Sequence, residues 1–115
     1  MKLILAVIQP PKLAAVREAL QRIGVERMTV CDAQGFGRQR GQTATYRGIE
    51  YKTHLLRKVS LEIFVNDDFV ERTVEAIQQI ARSGSEGNIG DGKIFIMPAQ
   101  EAITIDGGKR GPEAV

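Results

Sequence analysis

A chain of 115 residues is the size of one domain around one core, and 43% hydrophobic with 26% charged residues excludes a disordered polymer. Sixteen Lys and Arg against fourteen Asp and Glu leave a net charge of +2, too even a balance to point to a polyanionic partner. One Cys and one His exclude an internal disulfide and argue against a Cys/His zinc site.

Leu3–Ile8 is a continuous apolar run stopped by Pro10-Pro11, the pattern of a strand buried on both faces. It is too short for a signal-peptide core or a membrane span, so a cytoplasmic location is expected. Leu13, Val16, Leu20 and Ile23 then fall at helical spacing, with Pro11 suited to the first turn and Gly24 to the stop, which predicts a helix over 12–23. A second strand is expected from about Arg27 to Gly35.

Residues 37–55 are polar, rich in Gly and Arg, and without helical or strand period. A loop of that length in a compact domain is functional or misread, and its composition predicts a mobile segment. Val59, Leu61, Ile63 and Val65 alternate with Lys58, Ser60, Glu62 and Phe64, a strand with one firmly apolar face. Asp67-Asp68 offer an N-cap with Glu71 as a capping-box partner, and Val70, Val74, Ile77 and Ala81 form the stripe of a second helix. A Gly-rich loop over about 83–93 leads into a strand at Ile94–Met97. Ala102–Ile105 reads as a short edge strand, and the Gly-rich tail from 107 to 115 as mobile.

Strand-helix-strand, long loop, strand-helix-strand is the split βαβ, ferredoxin-like α+β arrangement: an antiparallel sheet with both helices on one face. Ile4, Ala6, Ile8 and Phe64 are expected on the second face, where apolar residues need cover.

Gly87-Asn-Ile-Gly-Asp-Gly-Lys93 nearly has phosphate-loop spacing, but Ile94 stands where a magnesium-binding Ser or Thr is required and a strand follows rather than a helix. It remains either an anion-binding concavity of backbone N–H groups with Lys93 beside it or a flexible turn with a solvated lysine. Gly35-Phe36-Gly37-Arg38 allows close backbone approach to a ligand; otherwise it is a glycine bulge closing a strand. Its echo of an RNA-recognition box lacks the aromatics that follow there, and four Phe, two Tyr and no Trp supply few stacking platforms. No nucleic-acid partner is expected. Lys58 and Glu62 share one face of their strand, as site residues or as ordinary surface charges. Tyr46 and Tyr51 sit in the long polar loop, where they serve a partner or anchor the loop on itself. Cys31 reads as a small strand hydrophobe and His54 as a surface residue without triad partners.

Together, Gly35-Phe-Gly-Arg-Gln-Arg-Gly41, Thr45-Tyr-Arg-Gly-Ile-Glu-Tyr51 and Ile89-Gly-Asp-Gly-Lys-Ile-Phe95, in that order and spacing, resemble the PII nitrogen-regulatory signal proteins, from Met1 to about Ile105. The resemblance implies a single PII-like domain over 1–115, a compact homotrimer and a non-enzymatic regulator. ATP and ADP would compete in the intersubunit clefts, with 2-oxoglutarate joining ATP and magnesium. Residues 37–55 would be the T-loop and 83–93 the B-loop. By matched position, Gly35, Gly37, Arg38 and Gln39 would line the cleft, and Gly90, Asp91, Gly92 and Lys93 would cradle phosphates. Thr29 and Glu62 would contact ribose and adenine, with the Phe64 backbone beside the base. Gln39 would be shared by magnesium and 2-oxoglutarate, and Lys58 would help hold the 2-oxoglutarate carboxylate.

Tyr51 matches a tyrosine modified by a uridylyl- or adenylyltransferase in some lineages. Arg47 matches an arginine that plugs ammonium-transporter pores, so that Arg47, Tyr46 and Tyr51 would meet targets such as a transporter or a nitrogen-assimilation enzyme. The only membrane link would then be through a transporter. The resemblance also exposes departures. Thr104-Ile105-Asp106 stands where an Arg-Ile-Arg run is usual, the B-loop is about three residues longer through Ser85-Glu-Gly87, and Gln9-Pro10-Pro11 replaces Lys-Pro-Phe. Ile49 replaces a serine that some relatives phosphorylate. Lost cations and a gained anion should weaken triphosphate binding, which keeps open a divergent sensor of ADP, AMP or another ligand without a 2-oxoglutarate response. A slow nucleotide hydrolase finds no water-activating base in the sequence.

Overall fold

The computed structural model describes residues 1–36, 44–46, 49–51 and 55–115, with the backbone alone at 36, 44–46, 49–51 and 55. In chain order the elements are β1 (Lys2–Ile8), α1 (Leu13–Arg22), β2 (Thr29–Phe36), β3 (Ala44–Tyr46), β4 (Ile49–Tyr51), β5 (Leu55–Val65), α2 (Val70–Ala81) and β6 (Gly92–Pro98). Four strands form an antiparallel sheet in the order β2-β5-β1-β6. With α1 and α2 packed together over one face, this is the ferredoxin-like α+β fold that the element order predicts.

The core lies between that sheet face and the helices. Ile4 and Ala6 of β1, Leu61 and Ile63 of β5, and Val16 and Leu20 of α1 are each 0% exposed, and Ile77 of α2 is 1% exposed. Each Ile, Leu or Val among them contributes roughly 1.5–3 kcal/mol by leaving water. Strand β1 is not buried on both faces: Leu3, Leu5 and Val7 alternate with the core residues and are only half-buried. The uncovered sheet face therefore carries Leu3, Leu5 and Val7, whereas Ile4, Ala6 and Ile8, expected there, lie under the helices. Phe64 is on the uncovered face as expected. In α2 the fourth buried position is Thr73 rather than Val74; its hydroxyl is satisfied by donating to the Phe69 carbonyl at 2.6 Å, which removes the cost of burying it.

The boundaries show which local signals hold. α1 begins after a 3-10 turn at Pro10–Lys12. It ends with Val25 N–H donating to Leu20 and Gly24 N–H to Gln21, while Gly24 takes φ +91°, the paired bonds of a glycine-stopped helix. The capping box expected at the start of α2 does not form. Asp67–Phe69 is a 3-10 turn without a side-chain cap, and the Asp67 carboxylate instead accepts the N-terminal ammonium at 2.9 Å and lies 3.6 Å from Lys2 Nζ. These cations hold the Asp67 carboxyl below the ordinary carboxylate range, the N-terminal hydrogen bond first among the causes.

Within the stretch expected as loop, β3 and β4 pair through their backbones, Ala44 opposite Tyr51, and β5 starts at Leu55, opposite Phe36. Backbone pairing alone carries no hydrophobic period, so the sequence gives no sign of it. β2 starts two residues later than its pattern suggests, and β6 extends the expected strand to Gly92 and Pro98. The edge strand expected at Ala102–Ile105 is a single bridge, Ile103 to Arg110. The tail makes hydrogen bonds back to the rest of the chain. Gly111 N–H donates to the Ala102 carbonyl at 2.8 Å, Asn66 Nδ2 donates to the Pro112 carbonyl at 3.2 Å, and Gly111–Ala114 makes a 3-10 turn.

Candidate functional site

The strand register sorts the candidate residues. On the uncovered face, one row across the sheet runs Lys93, Val7, Ser60, Cys31. The next runs Phe95, Leu5, Glu62, Thr29, and the next Met97, Leu3, Phe64. Lys58, opposite Ala33, and Gly35, opposite Leu56, share the same face on the other side of the Lys93 row. Thr29, Glu62, Phe64, Lys58 and Lys93 are thus brought to one surface. They do not converge in a single pocket, because Thr29 is on the outer strand β2 and Lys93 on the outer strand β6, separated by about 14 Å across the sheet at ~4.8 Å per strand. Gly37, Arg38, Gln39 and Arg47 lie outside the described residues, as does His54, and Tyr46 and Tyr51 are described only in their backbones.

The glycine loop between α2 and β6 is held by its own polar groups. The Asp91 carboxylate accepts the Ser83 hydroxyl at 2.6 Å, the Ser83 N–H at 2.9 Å and the Asn88 N–H at 2.8 Å. The Ser83 hydroxyl leads the causes that keep its carboxyl below the ordinary range. The Asp91 side chain thereby staples the loop to the end of α2. Gly92 has φ +130°, and a Cβ there would stand 1.8 Å from the Val7 carbonyl oxygen, so only glycine fits where the loop enters β6. Gly90 takes φ +97°, and its carbonyl accepts from Gln9 Nε2 at 2.6 Å and from Lys58 Nζ at 2.7 Å. Partial burial lowers the Lys58 pKa, opposed by the attraction of Asp91. Lys93 is exposed just beyond the loop.

Chemically, this end of the face offers a glycine-shaped loop, one ammonium engaged on its carbonyl and a second exposed beside it. Cations and backbone donors of this kind suit an anion. At the other end Thr29 and Glu62 are exposed and opposite one another, next to Phe64, which is 46% exposed. Thr104 and Asp106 belong to a turn closed on itself: Asp106 Oδ1 accepts the Thr104 hydroxyl at 2.6 Å and the Gly108 N–H at 2.9 Å, and the Thr104 bond chiefly lowers its pKa.

Sequence reasoning missed two contributors, Gln9 and Ser83. Gln9 was visible only as a departure from Lys-Pro-Phe, and nothing in the sequence marks Ser83. It also missed a groove of about 720 Å³ on the helix side, where Val74, Ile77, Ala81, Ile94 and Ile96 make an apolar floor closed at one end by the glycine loop. Among the described residues no group of three His, Cys, Asp or Glu could hold a metal, and no helix is long and apolar enough to cross a membrane.

The family model described as nitrogen regulatory protein P-II matches residues 1–109. The chain belongs to that family. It is 49% identical over 115 residues to a nitrogen regulatory protein P-II of Azospirillum brasilense and 51% identical over 115 residues to one of Rhodospirillum rubrum, with 100% of each chain covered. It is 46% identical over 115 residues to a nitrogen regulatory protein of Methanosarcina mazei, covering 100% of this chain and 97% of the relative. The family consists of signalling regulators of nitrogen metabolism rather than enzymes; its members bind small ligands and regulate partner proteins.

Proposed function

We propose that this P-II family chain is a single-domain, non-enzymatic sensor that binds ATP or ADP between copies of a homotrimer and passes the ligand state to target proteins through residues 37–55. The observation that carries this reading is the division of the candidate residues. The glycine loop with Lys58, Lys93 and Gly35 stands at one end of the uncovered face, and Thr29, Glu62 and Phe64 at the other. The two groups lie at opposite ends of the strands on one sheet face, so a second copy seated against that face would set one end of its sheet beside the other end of this one. The uncovered face supplies the apolar surface for that meeting, with Phe64 46%, Phe95 48% and Met97 37% exposed.

In this reading the 83–93 loop and Lys93 take the phosphates and the Thr29–Glu62–Phe64 end takes the ribose and base. Lys58 gives its charge to 2-oxoglutarate. Magnesium would arrive with ATP, with Gln39 as its proposed protein contact. Signalling requires that the ligands bind the states of the 37–55 loop with different affinities. Arg47, Tyr46 and Tyr51 in that loop would address a transporter or a nitrogen-assimilation enzyme in the cytoplasm. Calorimetric titration with ATP, ADP, AMP and 2-oxoglutarate tests the reading, and no heat with any adenine nucleotide would sink it.

A second reading is favoured by Asp106, an exposed carboxylate where the family resemblance expects an arginine. In it the protein senses ADP or AMP and does not respond to 2-oxoglutarate. The same titration separates the two.

A further inference from the structure

The peptide unit between Gly90 and Asp91 is held from both sides. Its N–H donates to the Asn88 carbonyl at 3.2 Å, and its carbonyl accepts two side chains, Gln9 Nε2 at 2.6 Å and Lys58 Nζ at 2.7 Å. One carbonyl oxygen has lone pairs for both. The two donors differ in what else attracts them. Lys58 is a cation whose charge is disfavoured by partial burial, so a carboxylate or phosphate nearby offers it a stronger partner than a neutral carbonyl. Gln9 is uncharged and gains far less from an anion.

The backbone of Gln9 is also fixed. It is extended, φ −69° and ψ 135°, as a residue before proline prefers, and its carbonyl accepts the Lys12 N–H at 3.0 Å. It directly follows Ile8, whose partner Val59 adjoins Lys58. The end of β1 thus delivers a neutral donor to the atom that the lysine also holds.

We propose that Gln9 is a positioning residue of the glycine loop: it keeps the Gly90 carbonyl in place when the Lys58 ammonium is drawn away to an anion. The loop then retains its shape while its lysine changes partner, and ligand binding need not leave a carbonyl unsatisfied. The use of Lys58 by an anion rests on the function proposed above; the holding role of Gln9 is tested without any ligand.

The experiment is amide hydrogen exchange over residues 88–92 in the full chain, comparing the natural protein with Gln9→Leu, Lys58→Met and the double variant. Exchange at Ile63 in the core serves as the control for folding. Lys58→Met mimics the withdrawn ammonium and should raise Asp91 exchange by no more than about threefold, whereas the double variant should raise it by about thirtyfold or more. Exchange in Lys58→Met as fast as in the double variant would overturn the proposal, since Gln9 would not hold the loop alone. A double variant as protected as the natural protein would overturn it too.

A second arm uses 2-oxoglutarate, titrated in the presence of ATP and magnesium, as the anion that draws on Lys58. Gln9→Leu should weaken it about tenfold. If the natural protein binds 2-oxoglutarate and Gln9→Leu binds it equally well, the role during binding is wrong. If the natural protein does not bind it, that part of the proposed function fails, and the exchange measurement still decides the holding role of Gln9.

Discussion

A Cβ at position 92 would stand 1.8 Å from the carbonyl oxygen of Val7. The contact welds the exit of the glycine loop to β1, because Val7 is paired with Lys93 across the two strands. Gly92→Ala adds both this clash and a side chain at φ +130°. We expect it to lower stability by on the order of 3 kcal/mol, combining overpacking and backbone strain. Urea unfolding measures it, and a loss of under about 1 kcal/mol would mean that the loop enters β6 differently.

Asp91 should make the loop acid-sensitive. Its folded carboxyl is held below the ordinary value by Ser83 and Asn88, so its contribution is present above the unfolded pKa of about 4 and is lost as pH falls through the lower folded value. Asp91→Asn should therefore cost thermal stability at neutral pH and progressively less below about pH 4. A melting-temperature gap between variant and natural protein that stays constant down to pH 3 would contradict the hydrogen bonds described.

The uncovered sheet face should be buried in solution. Light scattering is expected to give about three times the 12.7 kDa chain mass. Leu5→Lys, on the half-buried side of β1, should shift the protein toward monomer by placing a charge amid apolar neighbours. A natural protein that scatters as 12.7 kDa at micromolar concentration would remove the basis for a shared site.

Lys93→Ala should weaken nucleotide binding by roughly 1.5–3 kcal/mol, the range for a hydrogen bond to a charged group. Unchanged calorimetric affinity would take the exit of the glycine loop out of the site.

Thr104→Arg combined with Asp106→Arg should raise ATP affinity more than ADP affinity. The change removes a carboxylate and adds two cations where relatives are expected to carry them, and the added charge favours the more highly charged nucleotide. An ATP/ADP ratio that does not move would show that this turn lies away from the terminal phosphate.

The fold was legible wherever a period was enforced by burial. The alternation in β5 and the stripe of α2 both follow from one covered sheet face, and Thr73 enters the stripe only because Phe69 accepts its hydroxyl. Short-range capping signals were less reliable. Asp67 has the right side chain for a cap, but the N-terminal ammonium 2.9 Å away is a stronger partner than a backbone N–H. In the candidate site, the loop and Lys58 could be read from residue types, but the bond from Gln9 to Gly90 spans 81 positions and no local pattern announces it. The contacts of the tail are hidden for a related reason: its glycines suggest freedom, and the bond from Asn66 to Pro112 spans 46 positions.

The lone cysteine gives the uncovered face a built-in chemical reporter. Cys31 is exposed on β2, opposite Ser60 and in the same row as Lys93, and the chain has no second thiol. Its rate of reaction with a neutral thiol reagent is set mainly by access and thiolate fraction. Any partner or second copy that seats over this part of the sheet should slow that reaction, so coverage can be timed without introducing a label site.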